Sequence, residues 1–256
     1  VTLRAVKILS FIAACKGKEK MKIRDNKMKI FHVHTERCKH ASEETEEQYV
    51  QKAIQMNASD IYFTDHVPFP GNPFGHRMDM EQLEEYISSL QKLKHAYKKE
   101  VNVHIGLEIE YLPSFHSYYE ELHRISEIEI FMMGQHFFEV GPGKYSYHYR
   151  FAPLDFAKGV YSAMEEGLST GWFSYVAHPD RMFRYCPEWN MEMQNIAQDL
   201  ISIVQKREIV LEQNLAAIEK NMYWPEFWEC VPEGVEIIRG VDAHSTEEME
   251  RIISAL

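Results

Sequence analysis

Two hydrophobic rhythms alternate along the chain. Short runs, apolar at most positions or at every second one, recur at Met28–His34, Asp60–His66, Val101–Glu108, Glu129–His136, Trp172–His178, Glu208–Asn214 and Val235–Asp242. Their length and β-branched or aromatic content predict seven strands. Between them, apolar residues fall at helical spacing, as with Leu83, Tyr86, Ile87, Leu90, Leu93 and Tyr97. That spacing predicts helices over Thr45–Met56, Met80–Lys99, Tyr118–Ile125, Pro153–Gly167, Glu192–Lys206 and Thr246–Ala255. The first opens on T-E-E-Q, a capping-box signature, and stops at Asn57, which tolerates a left-handed terminus. Strand–helix alternation predicts an α/β fold with a parallel sheet. Seven units in one domain predict a closed or nearly closed barrel, with an open doubly wound sheet as the alternative.

The polar residues that interrupt the pattern gather at the strand ends. The first strand carries His32 and His34, and side chains alternate with period two, so Ile30, His32 and His34 are expected on one face. His40 follows in the next loop. The other strands finish on Asp65-His66, Glu108, Gln135-His136, His178 and, at the seventh, Asp242 with His244 close behind; Asn214 ends the sixth. In a parallel barrel those ends meet on one face, where barrel active sites lie. His95, His104, His116, His123 and His148 fall elsewhere and fit core or surface roles. The converging set is His32, His34, His40, His66, Glu108, His136, His178, Asp242 and His244. Seven imidazoles and two carboxylates exceed one four-coordinate site and suit two or three divalent ions. Imidazole with carboxylate favours Zn, Mn or Fe over Ca or Mg.

Length and charge narrow the partners. With 256 residues, 45% of them hydrophobic, the chain can bury one large core. A formal net charge of −11 argues against nucleic acid or an anionic membrane as the main partner. A small anionic substrate is still compatible, because bound cations reverse the field inside a cleft. Four scattered cysteines, Cys15, Cys38, Cys186 and Cys230, show no disulfide framework and point to the cytoplasm. Leu3–Cys15 has the outline of a lipoprotein signal: a basic start, a short apolar run and small residues before a cysteine. The competing reading is an amphipathic extension, or sequence upstream of a start at Met21 or Met28. The chain is therefore divided into an N-terminal extension, residues 1–27, and one barrel domain, residues 28–256.

The motifs H-V-H-T-E-R-C-K-H-A, F-T-D-H-V-P, G-L-E-I-E-Y-L-P, Q-H after the fourth strand, A-H-P-D, L-E-Q-N and V-D-A-H-S stand in this order from Met28 onward. Together they resemble the PHP (polymerase and histidinol phosphatase) family of metal-dependent phosphoesterases, and within it the monofunctional histidinol-phosphatases. The resemblance implies a distorted seven-stranded (β/α)7 TIM-like barrel. It implies three metals: one on His32, His34, Glu108 and Asp242, a second sharing Glu108 and adding His136 and His178, a third on His40, His66 and His244. Val241 stands where the family more often has Ser, and Glu110 where relatives often carry Asp. The implied reaction is hydrolysis of L-histidinol phosphate to L-histidinol and phosphate, in histidine biosynthesis. The alternatives are another small phosphoester, such as a nucleotide or phosphotyrosine, or metal binding without turnover. A proofreading exonuclease is disfavoured by the short, acidic chain.

Phosphate monoesters resist hydrolysis so strongly that enzymes accelerate it by up to ~10²¹. A hydroxide bridging two metals would supply the nucleophile, with Glu108 as the bridging carboxylate and Asp242 beside it. Arginines beyond the strand ends would hold the phosphoryl oxygens: Arg150 and Arg184 first, then Arg181 and Arg77. His76 is a candidate proton donor to the leaving group, and Asn214 a candidate substrate contact. Tyr111, Tyr145, Tyr147, Phe115 and Trp224 are candidates for an aromatic wall facing the imidazole of the substrate.

Overall fold

The computed structural model describes residues 27–255, so all of the expected N-terminal extension but Lys27 lies outside the described residues. Seven parallel strands close into a barrel in the order β1 (Met28–Val33), β2 (Ala58–His66), β3 (Asn102–Ile109), β4 (Ile130–Met133), β7 (Tyr175–Val176), β8 (Val210–Asn214) and β9 (Ile237–Ala243), with β9 pairing back onto β1. All seven expected strands form, and the barrel rather than the open sheet is the outcome. β7 is short, yet its pairing runs past both ends through Ser174 N–H to Phe131 O and Ala177 N–H to Met133 O.

Helices α1 (Glu46–Gln55), α2 (Leu83–Ala96), α3 (His116–Leu122), α4 (Pro153–Ser169), α5 (Met191–Arg207) and α8 (Thr246–Ser254) fill the expected positions. The capping box at α1 is present, with Gln48 Oε1 accepting from Thr45 N–H at 2.8 Å, and Asn57 ends the helix with φ +59°. Between barrel and helices lies the main core, which includes Tyr49, Phe63, Tyr86 and Leu90. Tyr86 reaches through it to donate to Gly106 O at 2.8 Å. A second cluster, Tyr62, Ile130, Met132, Ala177, Val210 and Ile238 with Phe31 and Tyr175 against it, plugs the barrel interior at its amino end.

A hairpin and two short helices among the described residues were not expected. An antiparallel hairpin, β5 (Glu139–Gly141) with β6 (Lys144–Tyr145), turns at Gly143, whose φ of +67° suits glycine. Helices α6 (Leu215–Glu219) and α7 (Pro225–Glu229) are too short to show a period. The first strand also departs from simple alternation. Its register shifts between Ile30 and Val33, and His32 has φ +67°. Phe31, not Ile30, therefore joins the interior cluster, while Ile30 and Val33 pack in the outer core. The bulge is what allows His32 and His34 both to face the mouth.

Candidate metal centre

Above the apolar plug, the barrel interior turns polar at the carboxyl ends of the strands. Glu108, near the end of β3, is buried at the centre. Its Oε2 lies 3.3 Å from His32 Nε2, 3.5 Å from His34 Nε2 and 3.1 Å from His66 Nδ1. Its Oε1 lies 2.9 Å from His178 Nε2 and 3.6 Å from His136 Nε2. One carboxylate thus presents each oxygen to a different group of imidazoles. Asp242, at the end of β9, faces His34 Nε2 at 3.2 Å and His32 Nε2 at 3.8 Å. His40 and His244 extend the cluster upward, with ring centroids 4.5 Å apart and His40 5.6 Å from His66. All nine side chains expected as ligands converge here.

Room for the carboxylates comes from missing side chains. A Cβ on Gly134 would run into the Glu108 carboxylate, and one on Gly240 into that of Glu212. Neighbouring groups then orient the rings. His32 Nδ1 lies 2.9 Å from both oxygens of Glu212, which is fully buried in β8. His136 Nδ1 bonds Glu110 Oε1 at 2.9 Å, His244 Nδ1 donates to Asp242 O at 3.0 Å, and His40 Nδ1 donates to Cys38 O at 2.6 Å. Fixing one ring nitrogen this way leaves the other as a lone-pair donor, the usual arrangement around a metal-ligating histidine.

The left-over nitrogens are the test of fit. His32 Nε2, His34 Nε2, His66 Nδ1, His178 Nδ1 and His244 Nε2 are buried without a hydrogen-bond partner. A buried polar group left unpaired costs about 1–3 kcal/mol, and a cation among these rings would satisfy several of them at once. Three ligand atoms each from His32–His34–Glu108, His34–His66–His244 and Glu108–His136–His178 lie within 4.8 Å of one another. The residues fit divalent metal ions.

Electrostatics reinforce that fit at Glu108, Asp242, His66 and His244. Burial raises the carboxyl groups of Glu108 and Asp242, but the surrounding imidazoles outweigh it and hold both well below the carboxylate range. Burial lowers His66 well below its ordinary value and His244 to about 3, so both rings stay neutral and can coordinate. His32 is raised despite burial, because Glu212, Glu108 and Asp242 all face it. The backbone is strained as well. His32, His178 and Asp242 have φ of +67°, +32° and +48°. Left-handed non-glycine residues cost of order 1–3 kcal/mol each and cluster at functional sites.

The other candidates divide. A cavity of about 790 Å³ opens above the cluster and is lined by His76, Arg181, Arg184, Tyr147, His148 and Asn214, among others. Arg181 is partly exposed, 3.9 Å from Asp242 Oδ2. Arg184 donates to His136 O at 3.4 Å, leaves its Nε unpartnered, and lies over the Phe156 and Tyr185 rings. His76 is exposed at the rim, its ring 5.4 Å from that of His40.

Arg77 borders the cavity, but its guanidinium is committed to a carboxylate. It is buried, pairs bidentately with Glu110 at 2.9 and 3.3 Å, and donates to Val67 O. Through Glu110 it braces His136. Arg150 is exposed and outside the cavity lining. Asn214 lines the cavity, but its Nδ2 donates to Asp242 Oδ2 at 3.0 Å and its Oδ1 accepts from Ala217 N. It positions Asp242. His148, assigned to the surface, lies in the cavity wall. Tyr111, Tyr145 and Trp224 are buried, and Phe115 packs on Phe69; Tyr147 alone of the five aromatic candidates lines the cavity.

Sequence reasoning missed Glu212, Asp65, Gly134 and Gly240. Glu212 and Gly240 sit at alternate positions below Asn214 and Asp242, so the period-two face that marked the ligands also pointed to them.

Comparison with known proteins gives one family. The PHP domain model matches residues 31–216. A Deinococcus radiodurans protein named "Probable histidinol-phosphatase" is 24% identical over 236 residues, 85% of this chain and 86% of its own. The Bacillus subtilis histidinol-phosphatase is 33% identical over 90 residues, about a third of each chain. Among solved structures, HisK of Listeria monocytogenes shares the fold with a TM-score of 0.72 at 19% identity, covering 89% of this chain and 99% of that one. The histidinol phosphate phosphatase of Lactococcus lactis, solved with Zn, L-histidinol and phosphate, gives 0.67 at 18% identity, covering 90% and 93%. No helix among the described residues is long and apolar enough to cross a membrane.

Proposed function

The chain belongs to the PHP domain family, and from that premise we propose that it is a metal-dependent phosphomonoesterase hydrolysing L-histidinol phosphate to L-histidinol and phosphate. The observation that carries this reading is the Glu108 carboxylate, ringed by five imidazoles at the floor of an open cavity. The full-length relative named a histidinol-phosphatase supports the substrate. Two or three divalent ions would be held by His32, His34, Glu108 and Asp242, by Glu108, His136 and His178, and by His40, His66 and His244. When bound, they supply a water nucleophile at neutral pH and positive charge for the phosphoryl oxygens.

The remaining work falls to the chain. Glu108 spans neighbouring ligand groups, since its two oxygens face different imidazoles. Arg181 and Arg184 present guanidinium groups to the phosphoryl oxygens, as planar forks suited to phosphate. Aromatic packing under Arg184 fixes the plane of that fork. His76, at the rim, is placed to give a proton to the leaving alkoxide. The imidazole of the substrate would meet the aromatic wall of Phe74, Phe137 and Tyr147, in which Tyr147 stands edge-on to Phe137 at 5.1 Å. Cys38, Cys186 and Cys230 are unpaired, which suits a reducing cytoplasm.

A phosphate-release screen tests the reading, with histidinol phosphate, nucleoside monophosphates and phosphotyrosine run on one zinc- or manganese-loaded preparation. Histidinol phosphate should be preferred by a wide margin in kcat/KM. Comparable slow rates on every ester would contradict the substrate assignment and leave the metal centre standing.

A further inference from the structure

Four of the ligand histidines have one nitrogen fixed by an oxygen from outside the ligand side chains: His32 by Glu212, His136 by Glu110, His244 and His40 by backbone carbonyls. His34 has a sulfur in that place. Cys38 closes the 3-10 turn Glu36–Cys38 and is fully buried beneath the cluster. Its Sγ lies 3.0 Å from Asp65 Oδ1, 3.4 Å from His34 Nδ1 and 3.3 Å from the backbone nitrogen of His66. Asp65 Oδ1 is itself pinned by Thr35 N at 2.9 Å and Thr35 Oγ1 at 3.0 Å.

The polarity of this chain is set by which groups can donate. Asp65 Oδ1 already accepts from both donors of Thr35, so it acts as the acceptor and the thiol hydrogen points to it. The sulfur lone pairs are then turned toward the two N–H groups, one on the His34 ring and one on the His66 backbone. With its Nδ1 proton held by sulfur, His34 keeps Nε2 bare, and Nε2 is the atom facing Asp242 and Glu108.

We propose that Cys38 is a positioning residue of the metal centre, its thiol fixing the tautomer and tilt of His34 and the backbone from which His66 projects. This rests on the metal-centre reading above. Sulfur hydrogen bonds are weak singly, but here one atom braces two ligands that share the Glu108 Oε2 side of the cluster.

The test separates hydrogen bonding from packing. Cys38→Ser keeps a donor and an acceptor, Cys38→Val fills the space with neither, and Cys38→Ala removes both. Zinc affinity is measured on each full-length protein by chelator competition, without substrate, and the melting temperature of the metal-free form is recorded alongside. Val and Ala should weaken zinc binding roughly 10–100-fold, the effect typical of losing a ligand's outer partner, while Ser recovers most of it. Metal-free melting should not follow that order. If Val binds zinc as tightly as Ser, the residue merely packs and the proposal is overturned. Should Val fail to fold, equal affinities for Ala and Ser overturn it instead. Wild-type protein that takes up no zinc removes the metal centre itself, and the role of Cys38 with it.

Discussion

The two ends of the barrel interior use the same residue types to opposite ends. At the amino end, His104 on β3 bonds Asp60 Oδ1 through Nε2 at 2.9 Å and Glu129 Oε2 through Nδ1 at 3.2 Å. Both nitrogens are satisfied, the ring stacks on Tyr62 at 4.1 Å, and Asp60 gains further bonds from Ser59 and Asn102. None of these residues has a left-handed backbone. At the carboxyl end, His32 spends one nitrogen on Glu212 and leaves the other buried and unpartnered, on a strained backbone, and His34, His178 and His244 also keep a bare nitrogen. Histidines beside carboxylates are thus not in themselves a metal site. A protein closes such a cluster with hydrogen bonds when it needs stability and leaves it open when it needs a ligand.

Substitutions at each end sharpen that contrast. Glu108→Ala should have the largest effect, abolishing metal retention and turnover together, well beyond the roughly 10–100-fold that an outer partner contributes. Arg181→Ala should lower kcat/KM by about 10²-fold, the scale of losing one charge-stabilising donor, with metal content intact. Arg150→Ala, outside the cavity, should leave kcat/KM unchanged. Glu212→Gln should weaken metal binding by roughly 10–100-fold, since the amide bonds His32 without its charge. Equal metal affinity in that variant would break the distinction between oriented and merely adjacent histidines.

The amino end should matter little to turnover. Asp60→Asn should leave turnover within about twofold, since the group is remote from the mouth. It should alter acid stability instead. Burial pushes the Asp60 carboxyl up, but bonds from Ser59, His104 and Asn102 bring it net below 3.8. A depressed carboxyl stabilises fully above its unfolded pKa and loses that contribution as pH falls through the folded value. Urea midpoints of wild type and Asp60→Asn should therefore differ at about pH 6 and converge toward about pH 3. A gap that widens on acidification would reverse the sign.

Much of the mouth was legible because a parallel barrel turns sequence position into place. Each strand end lands on one rim, so His66, Glu108, His136, His178 and Asp242 could be grouped by register alone. What stayed hidden depends on contact across strands. Glu212 gains its meaning from His32, 180 positions away, and Gly134 from a carboxylate on a neighbouring strand. The arginines show the same limit. Arg77, Arg150, Arg181 and Arg184 all sit beyond strand ends, but only packing decided that Arg77 is bound to Glu110 and that Arg150 lies outside the cavity lining. The bulge at His32 was invisible too, because a left-handed histidine breaks the period that sequence patterns assume.

An anomalous difference map from crystals grown with zinc bears most directly on the mouth as a cation site. Peaks should lie in coordination contact with both oxygens of Glu108, with the bare ring nitrogens of His32, His34 and His244 and with His178 Nε2, and none at His104. Absence of any peak at Glu108, or zinc seated between His104 and Asp60 instead, would contradict the assignment.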